Sequence, residues 1–444
     1  MIHDALKSRL RLLAPLFGAV LVALSACEED TPSSLDPNPI PVRTVEVELP
    51  WSQFGQAVET YTGYGKPSDL GRLVVARDFD GALDAHALIL PAAYPLTAIV
   101  RDSTGTNRID SAFVFLGGRL VGVVDTLDAA LPTEPIELEA ALLPRRWDAA
   151  SASWLAAVDS LGRRETWPEP GAGPVQMLTR TTWDPTTGDS IFWPLDSAQV
   201  AAIGSVDSVP TGVRIDMVTP GGRLTLRDVT LKLDTRPGLN PDTLVALDVV
   251  TVGKTFIYSP DPSQILPAEA PATFRVGGVP AWRTVLRVDV PRVLTGPEAL
   301  CAAIGCPFTL TQTALNNARL LLTTDAVVSG FRPTDSLYVD TRTVLAPELL
   351  PKAPLSASLT GGLGISVPPS AFEGDGGVTI EVPVTSFVRD LLSDSSAIAS
   401  RTSLALLTTF EPLSVGFGMF RLPGMPGEPR LRLILTVADT VVLP

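Results

Sequence analysis

The sequence predicts an all-β fold: two tandem β-sandwich (jelly-roll-like) domains that follow an N-terminal leader and a short tether. Three observations lead there. Val, Leu, Thr, Ala, Pro and Gly dominate the 444 residues, while Lys and Glu are scarce. Apolar residues alternate with polar ones between turns rich in Gly, Pro and Asp, the period of a half-buried strand. Long stretches with a helical period are nearly absent. A chain of this length has room for two or three domains.

Taken in order, VRTVEVELP (42–50) is the first strand signal, followed by GRLVVARDF, HALILP, SAFVFLGG and IELEAALLP. The region 155–205, with WPEPGAGP and WDPTTGDSIFW, reads as long loops with short strands. Order returns with GVRIDMV (212–218) and RLTLRDVTLKLD (223–234). In the latter, Leu224 and Leu226 share one phase and Val229, Leu231 and Leu233 the other, which predicts a bulge or tight turn near Arg227–Asp228. In WRTVLRVDVP (282–291), Leu286, Val288 and Val290 alternate with Arg287 and Asp289. NNARLLLTTDAV, SLYVDTRTVL, SLALLTTFEP, SVGFGMFRLPG and PRLRLILTV continue the strand pattern, and the end of GVTIEVPVTSFVRDLL suggests one short helix. The expected organisation is a leader over 1–26, a disordered tether over 27–41, one sandwich over 42–235 and a second over 250–444, with a linker at 236–249. The halves share an order of elements that suggests an old duplication.

The N-terminal segment carries its own signal. Lys7, Arg9 and Arg11 precede 13 almost wholly apolar residues, LLAPLFGAVLVAL, too few to span a bilayer comfortably. Ser25, Ala26 and Cys27 follow, and the step Leu24–Cys27 resembles the lipobox of bacterial lipoproteins. The resemblance implies cleavage before Cys27, acylation of its thiol and attachment to a membrane through lipid, since two or more acyl chains give a lasting anchor. The competing readings are an ordinary secretory leader with an incidental cysteine and a membrane-spanning anchor. The next residues, EEDTPSSLDPNPIP, are acidic and rich in Pro, Ser and Asn, as expected of a tether. Glu28 after the cysteine, where an inner-membrane retention signal prefers Asp, favours the outer membrane.

Loss of residues 1–26 would remove Lys7, Arg9, Arg11 and Asp4, leaving 31 basic and 47 acidic residues, a formal net charge of −16. That charge argues against nucleic acid and anionic lipid surfaces as partners. Cys301 and Cys306 in LCAAIGCPF are expected to form a small disulfide loop in an exported chain, with two buried thiols as the alternative. His86 is the single histidine left, so a site with several imidazoles is excluded by count. A Ser–His–acid site would have to be built on His86, whereas a lone strand histidine is more commonly structural. A hydrolase needs only two carboxylates, and nothing in the sequence picks a pair. No cofactor is called for. DSTGTNRID (102–110) and EGDGG (373–377) are oxygen-rich enough for a structural calcium but read first as solvated turns. Trp147, Trp154, Trp167, Trp183 and Trp193 crowd the irregular region and carry two readings: rings that stack on sugar faces, or plugs that pack the loops.

FRVGG, RTVLRVDVP, NNARLLLTT, VTSFVRDLL, SLALLTTFEP and PRLRLIL together resemble the DNRLRE-type domains, exported β-sandwich modules grouped with carbohydrate-binding modules. Arg283 with Val288–Pro291, Ala318–Leu321 and Pro429–Leu431 fall on that family's strand motifs, and Trp147 and Trp154 match its spaced tryptophans. Together with the lipobox-like step at Cys27, the resemblance implies a non-catalytic, lipid-anchored envelope protein that binds or scaffolds, with polysaccharide as one candidate ligand. The alternatives are an assembly component that contacts other envelope proteins and a carbohydrate-active hydrolase.

Overall fold

A computed structural model describes residues 42–438 except 62–63, 129–130, 161, 206–209, 260–273, 280, 297, 396–400 and 412–413. Cys27, the leader and the tether lie outside the described residues. The protein is largely β-sheet, with a few short helices. Its largest sheet runs in the order Gln176–Trp183, Ile136–Leu142, Val213–Met217, Leu83–Pro91, Leu73–Phe79, Gly222–Arg236, Val114–Val124 and Ser190–Asp196. Val245–Val249 adds beside Gly222–Arg236, and Thr251–Ser259 beside Leu83–Pro91. The first and last strands of this order follow one another in the chain, so the sheet curls round to near closure, like a barrel.

The period-2 rule fills its interior. Val213, Ile215 and Met217 point in with Ala87, Ile89, Leu120, Leu138 and Trp193, and this packed apolar core leaves the lumen closed. Leu224, Leu226, Val229, Leu231 and Leu233 all reach the same core. They do so because the ladder slips between Leu226 and Asp228, at the position the phase change predicts. One extra residue there turns the second half of the strand back to face inward.

The expected loops at 155–205 include more regular structure than their composition suggests. Gln176–Trp183 and Ser190–Asp196 are full strands, and they are the two ends of the barrel-like order. Pro194 is tolerated because Ser190–Asp196 pairs on one side only, with Val114–Val124. Ser197–Ile203 continues as a helix, capped by Asp196, whose side chain accepts from the Gln199 N–H while the Gln199 side chain reaches back to Asp196.

The C-terminal strands build two further sheets. One has the order Val42–Pro50, Arg430–Ala438, Leu315–Asp325, Phe417–Phe420 and Arg275–Gly277, with Thr379–Pro383 beside Leu315–Asp325. The other has the order Gly55–Tyr61, Arg283–Val288, Ser403–Thr408, Leu337–Thr343 and Ile365–Val367. Leu286 and Leu404 from the second meet Leu320 and Leu431 from the first around a small apolar space that also takes Phe387 and Val388 of the helix Thr385–Leu391. The expected alternation of Leu286, Val288 and Val290 supplies three of the buried side chains here. Strands from the two expected halves are exchanged: Gly55–Tyr61 pairs with Arg283–Val288, while Val245–Val249, within the segment read as a linker, pairs with Gly222–Arg236. Residues Val45–Leu435 form one compact unit; of the other unit, the chain's two ends, only 42–44 and 436–438 are described. Cys301 and Cys306 are joined in a disulfide at the end of the helix Glu298–Ile304. No helix among the described residues is long and apolar enough to cross a membrane.

Candidate functional site

His86 takes its surroundings from strand register. Ala87 and Ile215 are paired across the ladder, which brings His86 opposite Asp216, and Ile257 faces His86 from the other side. Because Ala87, Ile89, Ile215 and Met217 point into the barrel-like core, His86, Arg214 and Asp216 share the outer face. His86 Nδ1 lies 2.6 Å from Asp216 Oδ1, and Arg214 Nη2 lies 2.7 Å from Asp216 Oδ2. The Nδ1–Oδ1 contact is close but lacks hydrogen-bond alignment, whereas Arg214 Nε also donates to Asp216 Oδ2 at 2.8 Å. Burial pushes the Asp216 carboxyl up, but His86 and Arg214 more than offset it and hold the group below the usual carboxylate range.

The excursion from 143 to 175 packs over this face. Trp147, Ala152, Trp167 and Ala172 join Leu88, Leu143 and Ile257 in a second apolar core. The Trp154 ring stacks on the His86 ring, with centroids 4.8 Å apart and planes 13° from parallel. Arg214 Nη1 donates to the Gly171 carbonyl at 2.7 Å, and the Gly171 N–H donates to the Trp154 carbonyl at 2.8 Å. With Nδ1 against Asp216 and the ring covered by Trp154, the triad clasps the excursion to the sheet. Its geometry gives it a positioning task, and no nucleophile is hydrogen-bonded to the imidazole among the described contacts.

Gly171 makes the clasp fit. Its φ of +75° lies in the left-handed region, and an added Cβ would stand 3.0 Å from the Trp154 indole and 3.3 Å from His86 Nε2. Gly171→Ala is therefore expected to cost about 1–3 kcal/mol through crowding and backbone strain. Chemical denaturation checks this, and a midpoint unchanged from wild type would remove Gly171 from the account.

The tryptophans singled out in the sequence fall mainly inside. Trp183 and Trp193 belong to the barrel-like core, Trp147 and Trp167 to the outer core, and all four are at most 7 % exposed. Protein atoms cover their faces, so packing accounts for them and sugar stacking does not. Trp154 is half-buried, with one face on His86. The oxygen-rich loop at 102–110 is likewise occupied: Asp102 Oδ1 accepts from the N–H groups of Thr104 and Thr106, and Oδ2 pairs with Arg108 Nε at 2.8 Å. No group of three or more His, Cys, Asp or Glu side chains among the described residues is placed to hold a metal ion.

Arg283 opens its strand and donates to Glu411 Oε2 from Nε at 2.9 Å and Nη2 at 2.8 Å, under the ring of Tyr64. Burial pushes the Glu411 carboxyl up against the pull of Arg283.

A cleft that the sequence did not signal opens where Leu73–Phe79 and Gly222–Arg236 of the barrel-like sheet meet the turn before Leu337–Thr343 and the segment after Ser403–Thr408. Arg72, Asp128, Arg223 and Thr225 line it from one side, Tyr338 and Phe410 from the other. Arg223, on the barrel-like sheet, is only 3 % exposed. A second groove, between Ser197–Ile203 and the end of Ile136–Leu142, is lined by no ionisable side chain among the described residues. Comparison with family models, with curated proteins and with solved structures returns no match for the chain.

Proposed function

We propose that the chain is an exported protein, held at the bacterial outer membrane by lipid on Cys27, that binds polysaccharide without catalysing its cleavage. The body would act as two β-sandwich-like halves presented on the 27–41 tether. The observation that carries this reading is the order basic–apolar–LSAC–acidic tether, followed directly by strands. The likeness to DNRLRE-type modules supports the sugar ligand, as does the mixed polar and aromatic lining of the cleft. The Cys301–Cys306 disulfide suits an oxidising compartment.

The test is a glycan array probed with the folded full chain in detergent, with reducing ends assayed on each glycan that binds. Saturable binding with no new reducing ends is expected. Release of reducing ends would replace this reading with the hydrolase. Silence from folded protein would favour the envelope-assembly role, for which the hairpin Ala98–Arg101 and Asn107–Asp110 offers a surface: Ile99 and Ile109 are direct cross-strand partners and each is 72 % exposed.

A further inference from the structure

The cleft between the barrel-like sheet and the C-terminal strands has a built polar floor. Arg223 lies there almost wholly buried, its guanidinium 5.7 Å from the Phe79 ring centre and Nη2 3.5 Å from Asp128 Oδ2. Thr225, two residues on and facing the same way, donates its hydroxyl to the same Asp128 oxygen. Arg223 Nε has no acceptor among the described residues, so the floor holds unmet donor capacity. Arg72, half-exposed on the same side, pairs with the buried Asp125 at 3.0 Å.

Opposite this floor stands an aromatic rim. The Phe410 ring is 43 % exposed and meets Tyr338 edge-on, with centroids 5.9 Å apart and planes at 88°. An exposed phenyl at a cleft mouth, propped by a second ring, offers an apolar face that water leaves readily.

The charges decide the class of ligand. Arg72 pairs with Asp125, which Arg227 also approaches at 3.5 Å, Arg223 pairs with Asp128, and the exposed Asp335 adds a further carboxylate to the lining, so the two guanidiniums of the cleft are fully balanced by acidic groups. The lining therefore exerts little net attraction on an ion, yet it keeps donors and acceptors within a few ångströms of one another. An uncharged molecule with many hydroxyls and one apolar C–H face matches both walls at once. We infer that this cleft is the binding site for a neutral saccharide, with Phe410 stacking on a sugar face and Arg72, Asp128 and Arg223 bonding its hydroxyls. This rests on the polysaccharide-binding reading and assigns it a place away from the tryptophans.

The experiment is calorimetric titration of the full chain in detergent with neutral gluco-, manno- and galacto-oligosaccharides and with an oligogalacturonate. Phe410→Ala, Arg72→Ala and Ile109→Ser are compared with wild type; because Arg72→Ala leaves the buried Asp125 with Arg227 as its remaining partner, circular dichroism confirms that each variant is folded before it is titrated. Loss of a central aromatic or arginine anchor is expected to weaken binding of a neutral oligosaccharide by about tenfold or more, with Ile109→Ser unchanged. Neutral-glycan binding that survives both Phe410→Ala and Arg72→Ala would overturn the site while leaving the binding function standing. Failure of folded wild type to bind any glycan would overturn that function and the site with it. Preference for the oligogalacturonate would overturn the neutral class.

Discussion

Asp216→Ala is expected to lower stability by about 3 kcal/mol, the lower end of what removing one partner of a buried charged pair costs. The reason is on the outer face of the barrel-like sheet: His86 and Arg214 would lose the one carboxylate they share, at 2.6 and 2.7 Å, while remaining mostly covered. Asp216→Asn should cost less, because the amide oxygen can still accept from Arg214. The effect also has a pH signature. The native carboxyl titrates below its unfolded value of about 3.9, so its contribution is complete above roughly pH 5 and fades as pH falls through the lowered native pKa. Urea denaturation at several pH values should show wild type and Asp216→Ala far apart at neutral pH and converging in acid. A constant gap across that range would mean that the variant's defect is cavity formation, with no electrostatic part.

Trp193→Ala carries the second large effect, about 4 kcal/mol, within the range for emptying a buried aromatic site. The ring is 0 % exposed, at the barrel-like core. Trp193→Phe should cost much less, because the indole N–H has no acceptor to lose. A neighbour makes the claim specific. A Cβ on Gly122 would stand 2.9 Å from Trp193 Cζ3, so Gly122→Ala should destabilise wild type by overpacking. In the Trp193→Ala background the same change should be close to neutral, and a double-mutant cycle reads the difference. Additive costs would show that the two residues do not constrain one another.

Much of the local structure was legible in the sequence, and much of the long-range pairing was not. The phase change between Leu226 and Val229 located a real bulge, because side chains alternate strictly and a slip has to be absorbed somewhere. The alternation in 282–291 and the short helix at Thr385–Leu391 were equally readable. Ser190–Asp196 was harder: Pro194 and the exposed Phe192 mask the inward set Ile191, Trp193 and Leu195, although that set keeps period 2. Nothing local says that Trp193 faces Leu120, or that Gly55–Tyr61 adds to a strand more than two hundred residues away. The tryptophans misled for a related reason. Their neighbours look like loop, yet the excursion from 143 to 175 folds back as a second apolar layer over Leu88 and Ile257. His86 could be judged structural by count, but its partner Asp216 follows only from the register of Val213–Met217 on Leu83–Pro91. The cleft escaped entirely, since its walls come from separate sheets and its residues carry no motif.

The proposal depends first on where the chain resides, and that depends on one sulfur atom. The most direct measurement is metabolic labelling of the full chain with a clickable palmitate analogue in a didermic bacterium, followed by mass spectrometry of its N-terminal peptide, for wild type and Cys27→Ala. An acylated N-terminus at Cys27 in wild type, with the label lost in Cys27→Ala, is the result the account predicts. An unacylated chain, cut elsewhere or not cut at all, would contradict it.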